Sequence, residues 1–171
     1  QKVVNFIDYF SSGPQFYTLT ARTDITSPLD LCGKRVGTSR RTTFPQEIAA
    51  WSKANCEPAG KPDIVVVGAE GTADARTQLL QHRLDAALQG SETLPYIMGL
   101  EKGTFKPIGK ALSLQNTGMA ISKDAGPLTT AVQQAIDQMI ADGSYQKILS
   151  KWGLTDGAVA KATLNQDQGG L

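Results

Sequence analysis

The 171-residue chain is long enough for one good-sized core or two small ones, since domains typically run to about 100–150 residues. Its 17 Lys+Arg against 16 Asp+Glu leave a formal net charge of +1, which argues against nucleic acid or an anionic membrane surface as partner. No apolar run approaches the roughly 20 residues that span a bilayer, and Gln1-Lys2-Val3-Val4 lacks the features of a secretory signal; an exported protein would already have lost its signal.

Near the start, Tyr9, Phe10, Phe16 and Tyr17 read as core or hinge support, with stacking on a ligand as the alternative. From residue 34 to 121 short apolar runs alternate with amphipathic stretches, a pattern that predicts βα units, a largely parallel sheet and an α/β fold. Strands are expected at 35–38, 64–68, 85–88, 105–108 and 119–121. Ile64-Val65-Val66-Val67 is apolar on both faces, so it is expected in the middle of a covered sheet. Helices fall at about 44–55, 72–82 and 91–101. The first opens Thr43-Phe44-Pro45-Gln46, which reads as a capping box with Pro near the first helical position, and it carries Phe44, Ile48 and Trp51 on one face.

Cys32 and Cys56 sit beside Gly and Pro turns on either side of that helix. A disulfide is the favoured reading, with two unrelated buried thiols as the alternative, and oxidation would imply export. No CxxC spacing accompanies them, and a single His82, placed mid-helix, argues against a zinc site and against a nucleophile–base pair. No cofactor and no metal are expected.

Further on, Leu128, Ala131, Val132, Ala135, Ile136, Met139 and Ile140 recur at helical spacing and end at Gly143, a natural C-terminal cap. Ser144 is then expected to cap a second helix with Tyr145, Ile148, Leu149 and Trp152 as its apolar set. Beyond Gly153 the chain is small and polar, with little to bury, and reads as a loosely held tail.

Four stretches, in order and at matching spacing, resemble the family 3 extracellular solute-binding proteins, the amino-acid receptors of ABC transporters. They are Asp30-Leu31-Cys32-Gly33-Lys34-Arg35-Val36-Gly37 with Arg41-Thr42-Thr43, Leu84-Asp85-Ala86-Ala87-Leu88, Gly118-Met119-Ala120-Ile121-Ser122-Lys123, and Ala141-Asp142-Gly143-Ser144-Tyr145-Gln146-Lys147-Ile148 with Lys151-Trp152-Gly153. The resemblance implies a type II periplasmic-binding-protein-like fold, whose two lobes close over a ligand. It would make 1–23 the end of lobe one and the first crossover, with 19–23 as the crossing strand. Residues 24–110 would be a complete lobe two, 111–155 the return crossover and the C-terminal part of lobe one, and 156–171 a tail. The greater part of lobe one is then expected to lie outside this sequence, and Gln1 stands at or just after the place of the family's carboxylate-clamping Arg. The implied role is a non-catalytic receptor, periplasmic or extracellular with or without a lipid anchor. It would bind an amino acid or organic acid, pass it to an ABC permease, and meet the membrane only through that permease. A sensor module, a dehydratase-type enzyme and a cytosolic effector domain of a regulator share the architecture and stand as rivals.

For the site, Thr42 and Thr43 lie at the start of a helix whose free N–H groups suit an anionic group; capping alone is the competing reading. Arg41 stands at the family's Gly position, where it reads either as an anion contact or as solvated surface. Where the amino-acid receptors place an Asp for the ligand's α-ammonium, this chain has Gly90, within Gln89-Gly90-Ser91-Glu92. Two readings stay open: Glu92 reaches back to replace the Asp, or the ligand has no ammonium and Gln89 and Ser91 bind it through neutral hydrogen bonds. Glu92 also fits the first turn of a helix, and Asp74 reads either as a partner of its own helix's dipole or as a ligand contact.

Overall fold

A computed structural model describes residues 4–165, which divide into two compact units. The larger runs from Gly13 to Leu112, and the described residues on either side of it form the smaller.

The larger unit is built on a five-stranded sheet. Its strands are β2 (Pro14–Leu19), β3 (Arg35–Ser39), β4 (Val65–Ala69), β5 (Ala86–Gly90) and β6 (Phe105–Ile108), in the order β4-β3-β5-β2-β6. β3 pairs parallel with both β4 and β5, whereas β2 runs antiparallel between β5 and β6. Four strands therefore share one direction, with β2 against them. Three helices connect them: α1 (Phe44–Asn55), α2 (Thr72–Leu80) and α3 (Leu94–Leu100).

Alternation along the strands fills a core on each face, because successive strand side chains point to opposite sides. On one side Phe16, Val36, Ala86, Leu88 and Ile108 meet Ile48 of α1, and the Phe16 and Trp51 rings make an edge contact at 5.6 Å. On the other, Tyr17, Leu19, Ala87 and Phe105 meet Ala75 and Leu79 of α2 and Leu94 of α3. Burial pushes the Tyr17 hydroxyl up to about 12. The Ile64–Val67 run proves to lie at the sheet's edge, with Val65 51% exposed, and not in its middle. Val66 packs on the α1 side and Val67 on the α2 side. Two apolar faces thus report helices on both sides of the strand, which an edge strand of a doubly covered sheet has just as a central one does.

The chain enters the larger unit earlier, and leaves it two residues later, than the sequence reading places these breaks. β2, within the stretch assigned to the end of lobe one, pairs with β5 and β6, and the chain passes between units at Ser12–Gly13 and Leu112–Ser113. Phe16 and Tyr17 are core residues of the larger unit, and Phe10 is a core residue of the smaller.

Cys32 and Cys56 are bonded, with Cα atoms 5.6 Å apart; the bond ties the segment ahead of β3 to the C-terminal end of α1. Arg22 pairs with Asp24 and Asp85, and Asp85 also accepts the Arg35 N–H, which pins the loop after β2 to the amino ends of β3 and β5.

The smaller unit is a three-stranded antiparallel sheet, β7-β1-β8, of β1 (Val4–Ser12), β7 (Gln115–Ser122) and β8 (Thr163–Leu164), with helices α4 (Pro127–Ala141) and α5 (Ser144–Trp152). Ile7 and Phe10 pack against Ile136 of α4 and Tyr145 and Leu149 of α5 respectively. Gly143 takes the left-handed conformation (φ 80°) between the two helices. Ser144 does not cap α5: the Asp142 carboxylate accepts the Ser144 N–H, a cap two residues long that Ser144's own hydroxyl, bonded to the Met139 carbonyl, does not provide.

Within the described residues the expected loose tail is tied down. Leu154, Val159 and Ala162 join the core, the Ala162 N–H donates to Asp137, β8 pairs with β1, and Asn165 accepts the Phe6 N–H. Few apolar carbons made this stretch look unheld; backbone hydrogen bonds hold it. The remainder of the tail, and Gln1 as the site of the missing clamp, lie outside the described residues.

Reducing the disulfide, or replacing both cysteines with Ser, is expected to cost about 3 kcal/mol in denaturant unfolding, given a closed loop of sequence separation 24. Asp30 accepts the N–H groups of Thr26 and Ser27, which hold its carboxyl at about 2 against an ordinary 3.8. A depressed folded value means its stabilisation is complete above the ordinary value and lost as pH falls through about 2. Asp30→Asn should therefore flatten the acid limb of the stability–pH curve and leave its neutral region lower.

Candidate functional site

In an open α/β sheet the carboxyl ends of parallel strands are where loops are free to hold a ligand. β4, β3 and β5 are neighbours in the sheet, and the loops that leave their carboxyl ends carry Glu70 to Asp74, Arg40 to Thr43 and Ser91 to Thr93 respectively.

After β3, the chain turns on the Ser39 carbonyl, which accepts from both the hydroxyl and the N–H of Thr42. The Thr42 hydroxyl in turn accepts the Phe44 N–H at 3.3 Å. Thr43 is the residue that flanks α1, yet its hydroxyl donates to the Glu47 carboxylate at 2.6 Å and caps no backbone N–H. The expected capping box is thus absent; Pro45 at the helix start and Glu47 one turn in take over the local geometry. Both threonines are exposed, as is Arg41. Arg40 pairs with Glu70 at the end of β4, and the Arg41 guanidinium lies 3.6 Å from the second Glu70 oxygen with its side chain 76% exposed. Glu70 had no place in the sequence reading. Only its position ahead of Gly71-Thr72 at a helix start marked it, and nothing local tied it to the arginines 30 residues away.

Asp74, in the first turn of α2, accepts the Glu70 N–H at 3.0 Å and the Gln78 amide at 3.1 Å; the Glu70 N–H first, then Gln78, hold its carboxyl below the ordinary range. These bonds fasten the β4–α2 turn, which is a structural occupation for this side chain.

After β5 the four residues singled out behave differently from one another. Gln89 is 2% exposed; its amide nitrogen donates to Thr93, which itself donates to the Gly90 carbonyl, and its Oε1 has no hydrogen-bond partner among the described residues. Ser91 exchanges bonds with Gly13, its N–H donating to the Gly13 carbonyl and its hydroxyl accepting the Gly13 N–H, so it anchors the point where the chain enters this unit. Glu92 precedes α3 and does not sit in its first turn. Its carboxylate folds back over Gly90 and fills the space that a Cβ on residue 90 would need. His82 lies beyond the end of α2, exposed and in left-handed backbone (φ 57°), not within the helix. Among the described residues no group of three or more His, Cys, Asp or Glu is placed to hold a metal, and no helix is long and apolar enough to cross a membrane.

A doubly covered, mostly parallel sheet with polar loops at its carboxyl ends is the architecture of a small-molecule-holding module. Residues 1–155 match the bacterial extracellular solute-binding proteins, family 3, and the chain belongs to that family. An arginine-binding protein of Corynebacterium glutamicum is 28% identical over 162 residues, which is 95% of this chain and 53% of that protein. Among solved structures, substrate-binding domain 2 of Lactococcus lactis GlnP superposes with a TM-score of 0.68 at 22% identity, over 87% of this chain and 62% of that one. An ancestral arginine-binding protein bound to arginine gives 0.59 at 28%, over 87% and 64%. The fold is accordingly the type II periplasmic-binding-protein fold, and the chain spans only part of the proteins it matches, 53% of the Corynebacterium glutamicum relative and 64% of the ancestral arginine-binding protein.

Thr42→Ala removes a cap on the Phe44 N–H and is expected to cost about 1 kcal/mol, whereas Thr43→Ala, which breaks only a side-chain pair, should cost less. Urea unfolding of the two variants side by side measures the difference.

Proposed function

We propose that this chain is the ligand-holding part of an extracytoplasmic solute receptor. It captures an amino acid or a related small polar or anionic solute and hands it to an ABC permease without altering it. The larger unit is lobe two of that receptor, and the smaller unit belongs to lobe one. The protein works in the periplasm or at the cell surface.

The observation that carries the reading is the pairing of opposite chemistries on neighbouring loops of one sheet end. Arg41, Thr42 and Thr43 lead into α1 after β3, and Glu92 lies over Gly90 after β5. An exposed guanidinium beside two exposed threonine side chains at the positive end of a helix suits a carboxylate. Gln89 and Ser91 contribute mainly by shaping the β5 loop, and Asp74 by fixing the neighbouring one. The names of similar proteins, an arginine-binding protein and an ancestral one bound to arginine, support the amino-acid class. A receptor is preferred to an enzyme because the family is one of solute-binding proteins.

Thermal unfolding of the chain against a panel of amino acids and matched organic acids tests this. A recognised solute at 100 times its dissociation constant should add about 2.7 kcal/mol of stability. A selective upward shift supports the receptor reading; equal behaviour with every solute, or turnover of any of them detected in the same samples, counts against it.

A further inference from the structure

We infer that Glu70 governs how strongly this receptor takes a carboxylate, by competing with the solute for the Arg41 guanidinium, an inference that rests on the receptor reading above. β3 and β4 run parallel with Ser39 opposite Ala69, so the next residue on each strand, Arg40 and Glu70, leave the sheet side by side. Both backbones are pinned there. The Arg40 N–H donates to the Ala69 carbonyl at 3.0 Å, and the Glu70 N–H donates to the Asp74 carboxylate at 3.0 Å. Gly68 leaves room for the Arg40 side chain, whose Cβ would stand 3.2 Å from a Cβ on residue 68. One Glu70 oxygen consequently pairs with Arg40, and the other is left facing Arg41.

Arg41 is held on different terms. Its guanidinium stands 3.6 Å from the second Glu70 oxygen, beyond the roughly 2.7–2.9 Å of a charge-assisted hydrogen bond. Among the described residues it has no other acidic partner, and its side chain is 76% exposed. An ion pair that open to water is weak, so the carboxylate of a solute displaces it at small cost. Glu70 is not stranded by the exchange, because Arg40 stays on its other oxygen. Asp74 cannot take its place beside Arg41, being committed to the Glu70 N–H and the Gln78 amide. Glu70 thus occupies the one guanidinium of this loop that a solute can use, and its charge repels an incoming carboxylate. A receptor built this way takes carboxylates less tightly than Arg40 and Arg41 by themselves would allow.

The test compares matched solutes, L-glutamate with L-glutamine and L-arginine with L-argininamide, the second of each pair carrying an amide in place of one carboxylate. Calorimetric titrations are run on the wild-type chain, Glu70→Gln, Arg41→Gln and the double variant. Glu70→Gln should strengthen the carboxylate member of at least one pair by about threefold relative to its amide, the size expected of a charge contact open to water. That gain should shrink in about 1 M salt, where screening acts within about 3 Å. In the Arg41→Gln background, Glu70→Gln should bring no such gain. The amide members report whether the variants fold: Glu70 is 58% exposed, and a role confined to holding the two loops together would move both members of a pair alike. If carboxylate and amide respond alike in both pairs, or the gain persists without Arg41, the inference falls while the receptor reading stands. If neither pair binds any of these proteins, the inference falls, and the receptor reading is then decided by the full amino-acid panel above.

Discussion

The structure of the larger unit depends on β5 being paired on both sides, parallel to β3 and antiparallel to β2. All five of its residues are buried, and alternate ones enter different cores: Ala86 and Leu88 face α1, Ala87 faces α2 and α3. A strand in that position cannot slip by one residue without exchanging its two faces between two differently shaped cores, so its register is fixed. Fixing the register fixes where the strand ends, and the strand's end is where Gly90 and Glu92 meet. The precision of the candidate site is inherited from packing well below it.

β2 is the element that makes the two-unit arrangement possible. It is continuous in sequence with β1 of the smaller unit, separated only by Gly13, yet it belongs to a different sheet. Ser91 grips Gly13 by two hydrogen bonds, and the Leu112 N–H donates to the Pro14 carbonyl, so outgoing and returning segments are both secured to the larger unit close to β5's carboxyl end. The residue immediately before Glu92 thus holds the point where the chain enters the larger unit.

The smaller unit is held by different means. Its sheet has three strands, one of them two residues long, and Asp8 is buried on β1 with both carboxylate oxygens unpartnered among the described residues. Its cohesion comes from aromatic and aliphatic contacts of Phe10, Tyr145 and Leu149 and from side chains that bond to backbone: the Tyr145 hydroxyl donates to the Tyr9 carbonyl and accepts the Val159 N–H. Such bonds leave little trace in composition, which is why the stretch after Gly153 read as a loose tail.

By itself the sequence determined the elements whose signal is local and the family to which the chain belongs. Periodicity placed α1 at 44–55 and a strand at 105–108 as the structure has them, because the spacing of buried residues repeats along the element itself. The Gly and Pro turns around Cys32 and Cys56 pointed to the disulfide. Tertiary structure alone decided what depends on neighbours distant in sequence. It put β4 at an edge and β2 in the larger sheet, because strand order is set by which faces the helices cover and not by the strand's own pattern. It gave the cap of α1 to Thr42 and left Thr43 with Glu47, a choice between adjacent hydroxyls that the path of the turn makes. It also brought the Glu92 carboxylate back over Gly90, since a glycine in a sequence does not say whether its empty space stays empty or which side chain folds into it.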